Sequence, residues 1–241
     1  ASAPTSELRL LYVGRLVEAQ KRASDVARAL CQAACELPGV TAALYGAGGA
    51  RPAVERIIGA AGVGERVQLG GELLADQVQP TMLGAHALVL LSDYEGLPIA
   101  LLEAMACGLV PICTPMRSGI GELVEHELTG LLVADRGDGF VAAVRRLRDE
   151  PGLWQRLSLA ARAHAVKHYG ELSAAQRWAE LLSSLPNTAA LREVERPWRL
   201  QLPPTHPAFA REDHRGPPIA SGVLRRGRVL LGELRRKRSG R

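Results

Sequence analysis

A doubly wound α/β domain is the fold this sequence predicts, on three observations. Short apolar runs alternate with longer amphipathic ones from Leu8 to Gly130. The runs are predominantly apolar with no sustained alternation with polar residues, and glycines or cations follow four of them. Continuous apolar strands separated by helices imply a parallel sheet covered on both faces. Its crossovers should be right-handed, and ligands should sit at the carboxyl ends of the strands.

The strands are read in order as RLLYVG (9–14), VTAALYG (40–46), VQLG (67–70), ALVLLS (87–92), LVPICT (109–114) and GLLV (130–133). Helical stretches such as ASDVARALCQAACEL (23–37) and RPAVERIIGAAG (51–62) lie between them. After residue 137 the pattern is purely helical, through GFVAAVRRLRDE, PGLWQRLSLAARAHAVKHY and ELSAAQRWAELLSSL. The expectation is a Rossmann-like sheet of about six strands with extra C-terminal helices.

Charge divides the 241 residues. Residues 186–241 carry 13 Lys and Arg against 5 Asp and Glu, whereas 1–185 carry 17 against 20. Seven of the 15 prolines also fall in the last stretch. The expected organisation is a linker at 1–7, a body at 8–185 and a basic Pro/Arg-rich tail at 186–241, largely disordered because it lacks apolar surface to bury. The opening ASAPTSE reads as a cut linker, so the chain is expected to be a piece of something longer. The tail lacks interleaved aromatics and the body is acidic, which argues against nucleic acid as a partner. In VLRRGRVLLGELRRKR (223–238), Val223, Leu224, Leu230, Leu231 and Leu234 share one helical sector, and Arg225, Arg226, Arg228, Arg235, Arg236 and Lys237 fill most of the rest. That pattern suits peripheral contact with an anionic membrane. The other reading is a solvated tail, since Gly227 and Gly232 weaken a helix.

No apolar run approaches the roughly 20 residues of a membrane span. Cys31, Cys35, Cys107 and Cys113 show no metal-ligand spacing and read as buried reduced thiols, which suggests a cytoplasm-like compartment. Gly46, Gly48 and Gly49 make only part of a dinucleotide motif, because Arg51 takes its last glycine position. His164 and His168, four apart on a helix, read as surface residues.

Two glutamates eight apart stand out in YEGLPIALLEAMACG (94–108). Glu95 falls in the loop after the fourth strand. Pro98 is suited to the first helical position, and Gly108 should stop the helix at C′. Glu103 lies about one and a half turns into that helix. A carboxylate can accept from both hydroxyls of a cis-diol, and the helix N-terminus with the Gly96 and Leu97 amides offers donors to an oxygen ligand. On spacing alone two readings stand. Both glutamates face one polyhydroxylated, phosphorylated ligand, or Glu95 caps the helix and Glu103 pairs with a cation.

This stretch resembles the Glu-x7-Glu motif of the family-4 (group 1) glycosyltransferases, which have the two-domain GT-B fold. VGRLVEAQK (13–21), YGAGGARPAVERIIGAAGVGERVQLGG (45–71), SGIGELVEHELTGLLV (118–133) and DEPGLWQRLSLAARAHAVKHY (149–169) resemble further segments of that family in the same order. The likeness covers about residues 8 to 185 and implies the C-terminal, nucleotide-sugar-binding domain. By this resemblance Arg15 and Lys21 would hold the donor diphosphate, where Gly14 allows close backbone approach. Glu103 would bind the ribose. Glu95, with the Gly96 and Leu97 amides, would bind the transferred sugar nearest the chemistry. Val67, Gln68, Leu69 and Gly70 would give backbone contacts to the base, and Glu122 would be structural. Two departures are Ser118 and Gly121 in the anion loop, and Arg22 where glycine is common.

The resemblance implies sugar transfer from a UDP- or GDP-sugar with retention of configuration, with no cofactor and no metal. It also implies an N-terminal acceptor domain, or a partner subunit in its place, and a cytoplasmic location, peripheral at the inner face of the membrane if the tail binds there. The alternative from another class is a non-catalytic nucleotide-sugar-binding module or subunit.

Overall fold

A computed structural model describes Pro4, residues 7–116 and residues 119–185. The basic tail, its 223–238 segment and Ser118 lie outside the described residues. Six parallel strands form one sheet: β1 (Leu8–Val13), β2 (Val40–Tyr45), β3 (Val67–Leu69), β4 (Ala87–Leu90), β5 (Val110–Cys113) and β6 (Leu131–Leu132), in the order β3-β2-β1-β4-β5-β6. Every residue of β4 and β5 is buried, as expected of central parallel strands.

Helices α1 (Ala23–Glu36) and α2 (Arg51–Ala61) cover one face with α6 (Asp138–Asp149). The other face carries α3 (Ala75–Leu83), α4 (Ile99–Ala106), α5 (Ile120–Leu123) and part of α7 (Leu153–Tyr169). The last helix among the described residues, α8 (Glu171–Ser184), buries none of its residues. The fold is thus the Rossmann-like α/β class expected, with the sheet separating two apolar cores.

The strand order reverses between β1 and β4, which pair at Leu10↔Ala87 and Leu11↔Leu88. The chain leaves β1 towards β2 and leaves β4 towards β5, so the two following loops diverge at this topological switch point. Parallel α/β sheets open their ligand crevice there.

Two local expectations need correction. Pro98 is the N-cap of α4 in an extended conformation, not its first helical residue, because φ and ψ become helical only at Ile99. Of the four cysteines read as buried, Cys107 is only half-buried, and Cys35 is exposed because one helical turn beyond buried Cys31 the edge of α1 reaches solvent. Helix α3, with Pro80 inside it, lies between β3 and β4, where the alternation of strands and helices calls for a helix. Gly108 ends α4 with φ 82, as its C′ position demands.

Candidate functional site

The loop from β1 to α1 is held by backbone packing. The Leu16 amide donates to Ala47 O at 2.7 Å, the Ala50 amide donates to Leu16 O at 2.9 Å, and the Gly14 amide donates to Tyr45 O at 3.0 Å. Gly46 and Gly48 have φ of 142° and 150°, and a Cβ on them would stand 1.9 Å from Gly14 O and 2.3 Å from Leu16 O. The partial glycine motif after β2 therefore lets one loop backbone lie against the other. Tyr12, buried beneath, donates from its hydroxyl to Arg15 O at 2.7 Å. Burial, then the neighbouring Glu95 carboxylate, pushes its phenol well above the ordinary tyrosine range and keeps it a donor.

Arg22 closes this loop in the left-handed conformation, φ 54 and ψ 44, at the N-cap of α1. This is a conformation glycine adopts freely, so the arginine's departure from the expected glycine has a visible backbone cost. Its guanidinium bonds Asp25 at 2.7–2.8 Å. Glu18 accepts from the Ser24 amide and hydroxyl, satisfying a donor at the start of α1.

Across the switch point, the β4–α4 loop carries Glu95. Lys21 Nζ and Ser92 Oγ both donate to Glu95 Oε1 at 2.6 Å. The two charged side chains are 15% and 6% exposed, so this is a nearly buried ion pair formed across 74 residues of sequence. Gln20 Nε2 lies 3.4 Å from Glu95 Oε2 and donates to Tyr94 O at 3.2 Å, while its Oε1 accepts from exposed Arg15 at 2.7 Å. The Asp93 amide donates to Gln20 O at 2.9 Å, and Arg136 bonds Leu91 O at 2.8 Å and Asp93 at 2.5 Å, anchoring the same loop.

Glu103 stands in a different environment. It is exposed on α4 and forms no salt bridge among the described residues. The apolar run around it faces the core through Leu101, Ala104 and Met105, which leaves the carboxylate in water at little cost. Neither half of the cap-and-cation reading is seen: no side chain caps α4, and Glu95 is turned to Lys21. Gly96 and Leu97 are exposed beside it, with Gly96 O accepting from the Gly119 amide at 3.1 Å.

Val67, Gln68 and Leu69 make up strand β3. Val67 is buried in the core, Gln68 is exposed on the opposite face, and only Gly70 leaves the carboxyl edge. Gly70 O accepts from Arg51 Nη1 at 2.9 Å, and a Cβ on Gly70 would meet the Tyr45 ring at 2.4 Å. Glu122 is exposed in α5, its carbonyl 3.0 Å from His164 Nε2. Among the described residues no three His, Cys, Asp or Glu side chains are grouped to hold a metal ion. No described helix is long and apolar enough to cross a membrane.

The profile of the family described as "Glycosyl transferases group 1" matches residues 7–150, more than half of the chain. The chain belongs to that family. This group 1 glycosyltransferase sequence is 33% identical over 151 residues to an alpha-D-kanosaminyltransferase of Streptomyces kanamyceticus, covering 62% of the chain and 38% of that protein. It is 32% identical over 187 residues to the amylovoran biosynthesis glycosyltransferase AmsK of Erwinia amylovora, covering 74% and 45%. The crystal structure of Anabaena HepE in complex with UDP and glucose superposes with a TM-score of 0.64 at 25% identity, over 75% of this chain and 49% of that one. The chain thus spans less than half the length of these relatives.

Within this group 1 family member, the structure draws Arg15, Lys21 and Glu95 into one bonded network and leaves Glu103, Gly96 and Leu97 on its exposed rim. Sequence reasoning missed Ser92 and Gln20. Ser92, 1% exposed at the end of the β4 run, could have been noticed as a polar residue directed at the loop. Gln20, beside Lys21, carries no motif signal.

Proposed function

We propose that residues 8–185 form the C-terminal, donor-binding half of a family-4, GT-B, retaining glycosyltransferase acting on a UDP- or GDP-sugar. The observation that carries this reading is the nearly buried Lys21–Glu95 pair at the β1/β4 crevice, with Arg15 tied to it through Gln20. A buried carboxylate and ammonium are costly to maintain and concentrate where charged ligands are handled.

In this reading Arg15 and Lys21 take the donor diphosphate, and their charge stabilises the leaving group as the bond to the sugar breaks. The exposed Glu103 accepts from the ribose hydroxyls. Glu95, held by Ser92 as Lys21 turns to the phosphates, receives the sugar hydroxyls beside the Gly96 and Leu97 amides. Positioning of the sugar then depends on the rigidity of the β4–α4 loop. The acceptor is held by a second half, on the same polypeptide or a partner. The HepE complex with UDP and glucose supports a nucleotide-sugar ligand, and the relatives' greater length supports a two-half enzyme.

Calorimetric titration with UDP, GDP, UDP-glucose and GDP-mannose tests the reading. The chain should bind one diphosphate and its sugar nucleotide. Glu103→Ala should weaken the bare diphosphate by about 1.5–3 kcal/mol, while Glu95→Ala should chiefly erase any preference for the sugar nucleotide. Absence of binding to all four, or equal loss of the bare diphosphate in both variants, overturns it.

A further inference from the structure

Gln20 joins the two sides of the site. Its Oε1 accepts from Arg15 Nη2 at 2.7 Å, its Nε2 reaches Tyr94 O at 3.2 Å and Glu95 Oε2 at 3.4 Å, and its main-chain carbonyl accepts from the Asp93 amide at 2.9 Å. We propose that Gln20 is a positioning residue of the donor site, coupling Arg15 on the diphosphate side to Glu95 on the sugar side. This rests on the donor-binding reading above.

The chemistry of the side chain carries the argument. A guanidinium only donates, whereas a carboxylate and a main-chain carbonyl only accept. A neutral amide with its oxygen towards Arg15 and its nitrogen towards Tyr94 and Glu95 satisfies all three, and the reverse orientation opposes donor to donor and acceptor to acceptor. Glutamate has nearly the same shape and would still accept from Arg15, but it would set a second carboxylate against Glu95 and Tyr94 O. Lysine would donate to Glu95 but repel Arg15. Asparagine is one methylene short of the span. The same residue fixes the loop through its backbone, while the next residue, Lys21, bonds Glu95 directly. Residues 20 and 21 therefore register the β1–α1 loop against the β4–α4 loop, and Arg22, left-handed, turns the chain into α1 immediately afterwards.

The test uses the full chain with Gln20→Ala and Gln20→Glu. Without ligand, amide hydrogen exchange of residues 93–97 should quicken in Gln20→Ala, with thermal stability little changed. With whichever of UDP-glucose or GDP-mannose the wild type binds, Gln20→Ala should lose roughly fivefold to twentyfold in affinity. Gln20→Glu should lose more than Gln20→Ala, although it preserves side-chain volume. A role in packing alone would make Glu the milder change, so a Gln20→Glu affinity at or above that of Gln20→Ala overturns the proposal. Unchanged exchange at 93–97 in Gln20→Ala also overturns it. If the wild type binds none of the nucleotides, the donor-binding reading falls, and the ligand-free exchange still decides whether Gln20 positions the loop.

Discussion

Lys21 and Glu103 show how differently two charged residues of one motif set can be held. Lys21 is committed to Glu95 in a nearly dry pair, and removing one partner strands the other. Lys21→Met should therefore lower stability by about 2–4 kcal/mol, at or just below the range for a fully buried pair because Ser92 and Gln20 still bond the carboxylate. Glu103→Ala should change stability by no more than about 0.5 kcal/mol, as for other exposed positions. Urea unfolding of both variants measures the contrast, and similar losses in the two would show that the pair is not the buried anchor described. The two-glutamate motif was legible as a spacing. That one carboxylate is enclosed and the other exposed was not, because the enclosing groups come from residue 21 and from the end of β4.

At the scale of elements, the glycine loop after β2 is a packing device. Gly46→Ala places a methyl 1.9 Å from Gly14 O at a φ of 142°, which should cost about 2–4 kcal/mol and loosen the Gly14–Leu16 segment. Gly49→Ala, with nothing within 4 Å of its Cβ, should stay within about 0.5 kcal/mol of wild type. Thermal melts of the pair, with nucleotide titration of each, check whether loop contact and binding fall together. Helix α8 offers the opposite case. Trp178, Leu181 and Leu182 are 63%, 51% and 61% exposed, so its apolar sector adds little to the body. Leu182→Gln should be neutral within about 0.5 kcal/mol. Leu157→Ala in α7, fully buried, should cost about 2–5 kcal/mol by denaturant unfolding.

Across the whole molecule, His86 ties four elements together. Its Nδ1 accepts the Arg9 amide of β1 at 2.8 Å, and its carbonyl at the head of β4 accepts from Val110 and from Trp154 of α7, both at 2.9 Å. Burial, and then the Arg9 charge, lowers its pKa from 6.5 to about 4. A ring already accepting at Nδ1 cannot take a second proton without breaking that bond. The unfolded chain therefore binds a proton between about pH 6.5 and 4 that the folded chain does not. The neutral ring costs nothing above about pH 6.5, and stability falls as the pH drops through that window, by up to about 3 kcal/mol from this residue. Urea melts at pH 7.5, 5.5 and 4.5 should show His86→Gln losing less with acid than wild type. A parallel loss in the two proteins would remove His86 from the account.

The alternation of strands and helices, the helix stop at Gly108 and the candidate residues near the strand ends were all determined by the sequence itself. Periodicity and turn chemistry are local, and a continuous apolar run has few places to go but a buried parallel strand. Strand order is not local. Only the folded sheet puts β1 beside β4, and that adjacency brings Lys21 and Gln20 to Glu95. The same holds for Gly46 and Gly48, only part of a dinucleotide motif in the sequence, whose missing side chains make room for the backbone of Gly14 and Leu16. Contacts between segments more than 70 residues apart depend on which strands are neighbours, and burial of charge follows from those contacts.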